Sequence, residues 1–210
     1  LIGTMLVANI NPGDASSSPR SLTPFGDRVL FSAEPTYGSV KPYVAGTGVN
    51  GAQRLDYLPP EENLYASQFV VIGDRAVFTA GDARSGVEIW ATRGQPGDAR
   101  GVMDIYPGAG ASFPYGLTAV GDRAVFAARN PQYGVELWST DGTEAGTGLV
   151  RDVNPDGSSY PQDLVAVGDS VVFSADDGPH GYELWTTRGT TASTRMVADG
   201  YPGPASGTDG

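Results

Sequence analysis

Asp152, Asn154, Asp156 and Asp163 occupy positions 1, 3, 5 and 12 of a segment that reads D-x-N-x-D-G. Oxygen ligands at that spacing can surround one hard cation such as calcium. Against a metal stand Asp rather than Glu at the last position and the stiff residues Pro155 and Pro161 within the loop. The sister segments carry Gly13, Gly108 or Gly203 where Asp156 stands, so a turn is the inherited role and a metal-free loop is expected. Acid–base chemistry has a thin inventory. His180 is the only histidine, beside Asp176 and Asp177, and there is no cysteine. Neighbouring residues on a strand point to opposite faces, so Asp176 and Asp177 are poorly placed to share one proton. No catalytic set and no cofactor site is expected, and the chain reads as a non-enzyme. Glu88, Glu136 and Glu183 recur beside the three tryptophans. They could line a channel, as a polysaccharide hydrolase would need, or accept hydrogen bonds from turn amides, which is the expectation here.

Binding chemistry is more concentrated. Tyr37, Tyr43, Tyr57 and Tyr65 crowd into one stretch with Lys41, the only lysine. Clustered aromatics with an isolated cation suit a protein or glycan partner. These five residues form the expected partner surface. The same stretch runs Lys41-Pro42-Tyr43 and later Pro59-Pro60-Glu61-Glu62. Proline removes a ladder donor, so the strand through Pro42 is expected at an edge or irregular.

The elements that position these residues follow from a repeat. The block around Gly26-Asp27 returns at Gly73-Asp74, Gly121-Asp122 and Gly168-Asp169, an interval of 47 or 48 residues. Each copy ends on a phenylalanine: Phe31, Phe78, Phe126 and Phe173. A second marker, Glu-(Leu/Ile)-Trp, places Trp90, Trp138 and Trp185 at one repeat position. In the third copy the turn residues delimit four strands over 115–120, 123–128, 135–140 and 148–153, and no stretch has sustained helical periodicity. Four antiparallel strands per unit of about 48 residues predict an all-β propeller, or a segment of one, whose blades bury Phe and Trp between them. The chain is expected to be one repeat domain, 1–210. It divides into a partial unit, 1–24, opening with an outer strand over 5–10, and units of about 25–71, 72–119, 120–166 and 167–210. The Asp-Arg pairs at 27–28, 74–75 and 122–123 fall at hairpin tips, where exposed charge serves solubility.

Glu136-Leu137-Trp138-Ser139-Thr140-Asp141-Gly142-Thr143, with Gly146-Thr147 through Val150, Asp152 and Asn154-Pro155, resembles the ELWxxDGT repeat family. The second and fourth copies follow it with Arg93 and Arg188 in place of the aspartate, and the first departs from it at Lys41-Pro42-Tyr43. The resemblance implies bacterial propeller-forming repeats of secreted or surface proteins, and no particular activity.

Composition narrows the remaining classes. A net charge of −11 and a pI near 4.3 argue against nucleic acid, whose binding rests on Lys and Arg neutralising phosphates. No run of 18 apolar residues is present, so no membrane span is expected. With scarce lysine and abundant Asp, Gly, Ser and Thr, the expectation is a binding or scaffold module at the cell surface, in the periplasm or outside the cell, with assembly into a larger complex open to it.

Overall fold

The computed structural model describes residues 6–46, 51–59, 62 and 64–200. Among the described residues, sixteen strands form four separate four-stranded antiparallel sheets in simple sequence order. Blade one holds β1 (Arg20–Phe25), β2 (Arg28–Thr36), β3 (Ser39–Gly46) and β4 (Ala52–Arg54). Blade two holds β5 (Ser67–Ile72), β6 (Arg75–Asp82), β7 (Gly86–Thr92) and β8 (Arg100–Met103). Blade three holds β9 (Tyr115–Val120), β10 (Arg123–Asn130), β11 (Gly134–Thr140) and β12 (Gly148–Arg151). Blade four holds β13 (Gln162–Val167), β14 (Ser170–Asp176), β15 (Tyr182–Thr187) and β16 (Arg195–Ala198). The sole helical element among the described residues is a single 3-10 turn, Thr191–Ser193.

Local chemistry explains the regularity. Each first hairpin closes through a two-residue Gly-Asp loop, with Phe25 opposite Arg28 in blade one and Ile72 opposite Arg75 in blade two. Gly26, Gly73, Gly121 and Gly168 all sit near φ +60°, which such a loop demands and glycine gives without strain. Across the second hairpin the aromatic pairs stand opposite one another: Phe78 and Trp90, Phe126 and Trp138, Phe173 and Trp185. In blade one Tyr43 takes the tryptophan position and stacks on Phe31 at 5.7 Å.

These pairs are the contacts between blades. Phe78 and Trp90 pack on Leu30 and Val44 of blade one. Phe126 and Trp138 meet Val77, Ile89 and Ile105 of blade two, while Phe173 and Trp185 meet Val125, Leu137 and Val150 of blade three. The three tryptophans are 2%, 4% and 5% exposed, as equivalent core positions must be. Strands β1, β5, β9 and β13 line up in succession, each on the next, and β13 makes no comparable approach to β1 among the described residues.

Three sequence expectations are corrected. Strand β3 is not an edge, although its pairing with β2 shifts register between Ser39 and Lys41: Pro42 sits opposite Ser32 of β2, and on the other side its carbonyl accepts from Leu55 N at 2.9 Å. A proline costs the sheet only its own donor, and its oxygen still serves. The outer strand expected over 5–10 does not form over the described residues 6–10, where Leu6 is 79% exposed. Arginines at the hairpin tips do more than solubilise. Arg28 Nη1 donates to Gly94 O at 2.5 Å and Arg75 Nη1 to Gly142 O at 3.2 Å, so each reaches the third-strand turn of the following blade. Pro60, Glu61, Gly203 and Met5 lie outside the described residues.

Candidate ligand-binding face

With strands in strict up-and-down order, the Gly-Asp turns emerge at one end of every blade. The second-hairpin turns and the connections between blades emerge at the other, and the segments that follow blades two, three and four are each anchored by a buried glutamate. Glu88 Oε1 accepts from Ser112 N at 2.8 Å, while Oε2 accepts from Ile105 N at 3.1 Å and Ser112 Oγ at 2.6 Å. Glu136 repeats the pattern with Ser159 N, Val153 N and Ser159 Oγ, and Glu183 accepts from Gly200 N at 2.9 Å. All three are nearly inaccessible, and burial pushes the Glu88 and Glu136 carboxyls above their usual range against the pull of those donors. They hold linkers and face no channel.

Beyond each anchor the chain takes a left-handed residue. Ser18, Tyr65, Phe113 and Tyr160 stand at one repeat position with φ between +43° and +48°. A second set, Ser21, Gln68, Gly116 and Asp163, is also left-handed and marks a bulge in each first strand. Positive φ at a large non-glycine residue costs on the order of 1 kcal/mol or more and persists where the surroundings fix it. Three of these strained residues are aromatic and point outward: Tyr65 is 62% exposed, Phe113 61% and Tyr160 49%. Sequence reasoning found only Tyr65; Phe113 and Tyr160 each stand directly before a proline, which favours extended backbone and gave no sign of a left-handed residue.

Of the five residues expected to meet a partner, two cannot. Lys41 is fully buried and Tyr43 is 6% exposed. Lys41 occupies the glutamate position of the other blades, and its Nζ donates to Pro59 O at 3.1 Å and lies 3.5 Å from Asp56 Oδ1. Burial lowers its pKa, with Asp56 opposing. Tyr43 fills the tryptophan position and Lys41 the linker-anchoring position with inverted charge. Tyr37 and Tyr57 stay exposed, Tyr37 at the β2–β3 turn on the same end as Tyr65 and Tyr57 with its ring centre 4.5 Å from the Arg100 guanidinium.

A cleft of about 540 Å³ opens at this end beside blade three, lined by Tyr106, Arg129, Asn130, Ser158 and Tyr160. Arg129 lies 5.2 Å from the Tyr106 ring centre and forms no ion pair among the described residues. The corresponding residues elsewhere are Glu34, Gly81 and Asp176, so this cation belongs to blade three alone. Asn130 is committed to the fold: Nδ2 donates to Ile105 O and Oδ1 accepts from Gln132 N. Nearby Tyr115 has its hydroxyl pushed up to about 12 by burial, reinforced by Tyr182, Tyr160 and Glu136.

The calcium-like segment is a turn. Gly157 N donates to Asn154 O and Asn154 Nδ2 to Ser158 O, while Asp163 belongs to β13. No three of Asp152, Asp156, Asp163 or other acidic or histidine side chains gather where they could hold one ion among the described residues. His180 Nδ1 pairs with Asp177 Oδ2 at 2.8 Å within the β14–β15 turn, which raises the imidazole pKa.

No protein-family model matches the chain, and no curated protein matches its sequence. The structure is similar to that of a TolB protein of Agrobacterium tumefaciens, with a TM-score of 0.54 and 10% identity over 90% of this chain and 68% of that one. It is also similar to the acylaminoacyl peptidase of Pyrococcus horikoshii, with a TM-score of 0.52 and 14% identity over 85% of this chain. This is a β-propeller fold. The chain spans about a quarter (26%) of that peptidase's length, and identities this low speak to the fold alone. No helix among the described residues is long and apolar enough to cross a membrane.

Proposed function

We propose that this propeller is a non-catalytic binding module that presents the Tyr106–Arg129–Tyr160 cleft to a glycan. The observation that carries the reading is the set of exposed aromatics, Tyr65, Phe113 and Tyr160, held in left-handed backbone at equivalent positions of one end. Aromatic faces stack on the apolar faces of sugar rings, and an unpaired guanidinium donates hydrogen bonds to a carboxylate or hydroxyl oxygen. The repeat motif around Trp138, the scarcity of lysine and the acidic composition support a place outside the cytoplasm, where such ligands occur.

The test is binding of the purified chain to immobilised neutral and acidic polysaccharides. Tyr160→Ala and Arg129→Ala should each lower retention about tenfold, the loss of one good contact. An unaltered profile in both variants would sink the assignment.

A further inference from the structure

Tyr65, Phe113 and Tyr160 each stand two residues before a first strand, β5, β9 and β13 in turn. Those strands pack on one another from blade to blade. Thr118 Oγ1 of β9 donates to Leu164 O of β13 at 3.2 Å, as Thr23 Oγ1 of β1 does to Phe69 O of β5 at 3.4 Å. One repeat position recurring on neighbouring strands sets the exposed rings in a row that steps across successive blades. Blade one carries Ser18 at that position, so among the described residues the row starts at the entry to blade two.

The row is held ready. Phe113 N donates to Val87 O and Tyr160 N to Val135 O, both at 3.2 Å, and beside Tyr65 the Leu64 amide donates to Val40 O at 3.3 Å. Fixed backbone under each ring spares a ligand the cost of ordering it. Three like rings in register suit a ligand that is itself a repeat, and they give no means of telling a chain end from its middle.

Charge at the same end restricts what can lie there. Asp104 and Asp156 stand exposed on the linkers, and Asp82, Asp176 and Asp177 on second-hairpin turns. Arg129 and Arg84 are the exposed arginines of those turns, and the whole chain carries a net charge of −11. A polyanion would approach against that field, whereas a neutral sugar chain would not. Building on the glycan reading above, we infer that the row holds an internal run of a neutral polysaccharide, several sugars at once, laid from the entry of blade two to that of blade four. Arg129 donates to a hydroxyl oxygen at the Tyr160 end.

The probes are soluble neutral polysaccharides of glucose, xylose and mannose, and oligosaccharides of two to eight units cut from whichever is retained. Affinity measured by titration calorimetry should rise at least ~100-fold from the disaccharide to the longest chain and then level off, as linked contacts do once the row is spanned. Phe113→Ala and Tyr65→Ala should each weaken the octasaccharide about tenfold and leave the disaccharide within about twofold, since the short ligand rests in the Tyr160 cleft alone. Phe113→Trp should keep the long-chain affinity, and unchanged melting temperatures would show that the variants are folded. Carboxymethylation of the retained polysaccharide should weaken binding at low salt, with part of the loss recovered at high salt.

A disaccharide held as tightly as the octasaccharide, or a folded Phe113→Ala indifferent to chain length, would overturn the row. The glycan reading would survive that result if Tyr160→Ala and Arg129→Ala still lowered retention. Tighter binding of the carboxymethylated form, or retention of acidic polysaccharides alone, would overturn the neutral class. Retention of no polysaccharide of either kind would sink the glycan reading, and the row as its reader with it.

Discussion

A buried position can keep its task while its charge inverts, and Lys41 is the case in point. In blades two to four the environment of the glutamate is made of donors: the Ile105 and Ser112 amides, their blade-three equivalents Val153 and Ser159, and the Gly200 amide. Around Lys41 it is made of acceptors, Pro59 O and the Asp56 carboxylate, which in turn accepts from Leu58 N. Lys41→Glu would restore the repeat consensus and still bring two carboxylates together without solvent. It should destabilise the fold by about 3 kcal/mol or more, as a buried charge left without its partner does. Urea denaturation would check this, and a consensus-like gain in stability would refute it. The sequence signalled that residues 41–43 break the pattern. It did not signal that the break is internal, because a charge-inverted anchor and an exposed lysine look the same without their neighbours.

At the level of the element, the four-stranded units were legible to within two residues in blade three, because the Gly-Asp turns, the Phe–Trp pairing and the period all agree. What stayed hidden was backbone strain. Tyr65, Phe113 and Tyr160 carry no turn signature of their own, and their left-handed conformation is imposed by the anchored linker on one side, held by Lys41 before Tyr65 and by a glutamate before the other two, and the bulged first strand on the other. Strain held at an exposed aromatic should trade stability against binding. Tyr160→Gly relieves the left-handed cost, so it should raise stability by up to about 1 kcal/mol while weakening glycan retention. Thermal melts paired with retention measurements would check both signs. A variant that is less stable would show that the Tyr160 side chain holds the linker in place.

Across the whole molecule, cohesion comes from a small set of ties repeated from blade to blade. Arg75 illustrates them: its stem lies against Gly142 and its guanidinium donates to that residue's carbonyl. Arg75→Ala should cost about 1–2 kcal/mol through the lost charge-assisted bond, and Ser170→Ala, at the equivalent place in blade four, should cost close to nothing. Denaturation midpoints of the two variants would check the contrast, and equal losses would show that the arginines act within their own blades. The glutamate anchors carry a consequence for how the chain is made. Glu88 is fastened to amides 17 and 24 residues further on, so blade two stays unsecured until Ser112 has been delivered. A polypeptide emerging N-terminus first, from a ribosome or an export channel, would therefore complete its blades in order, each waiting for the linker of the next. A pause in delivery just after Trp90 would leave a formed hairpin whose Glu88 carboxylate has water in place of its amide donors, the moment at which a protease or a stray β-edge has most to seize.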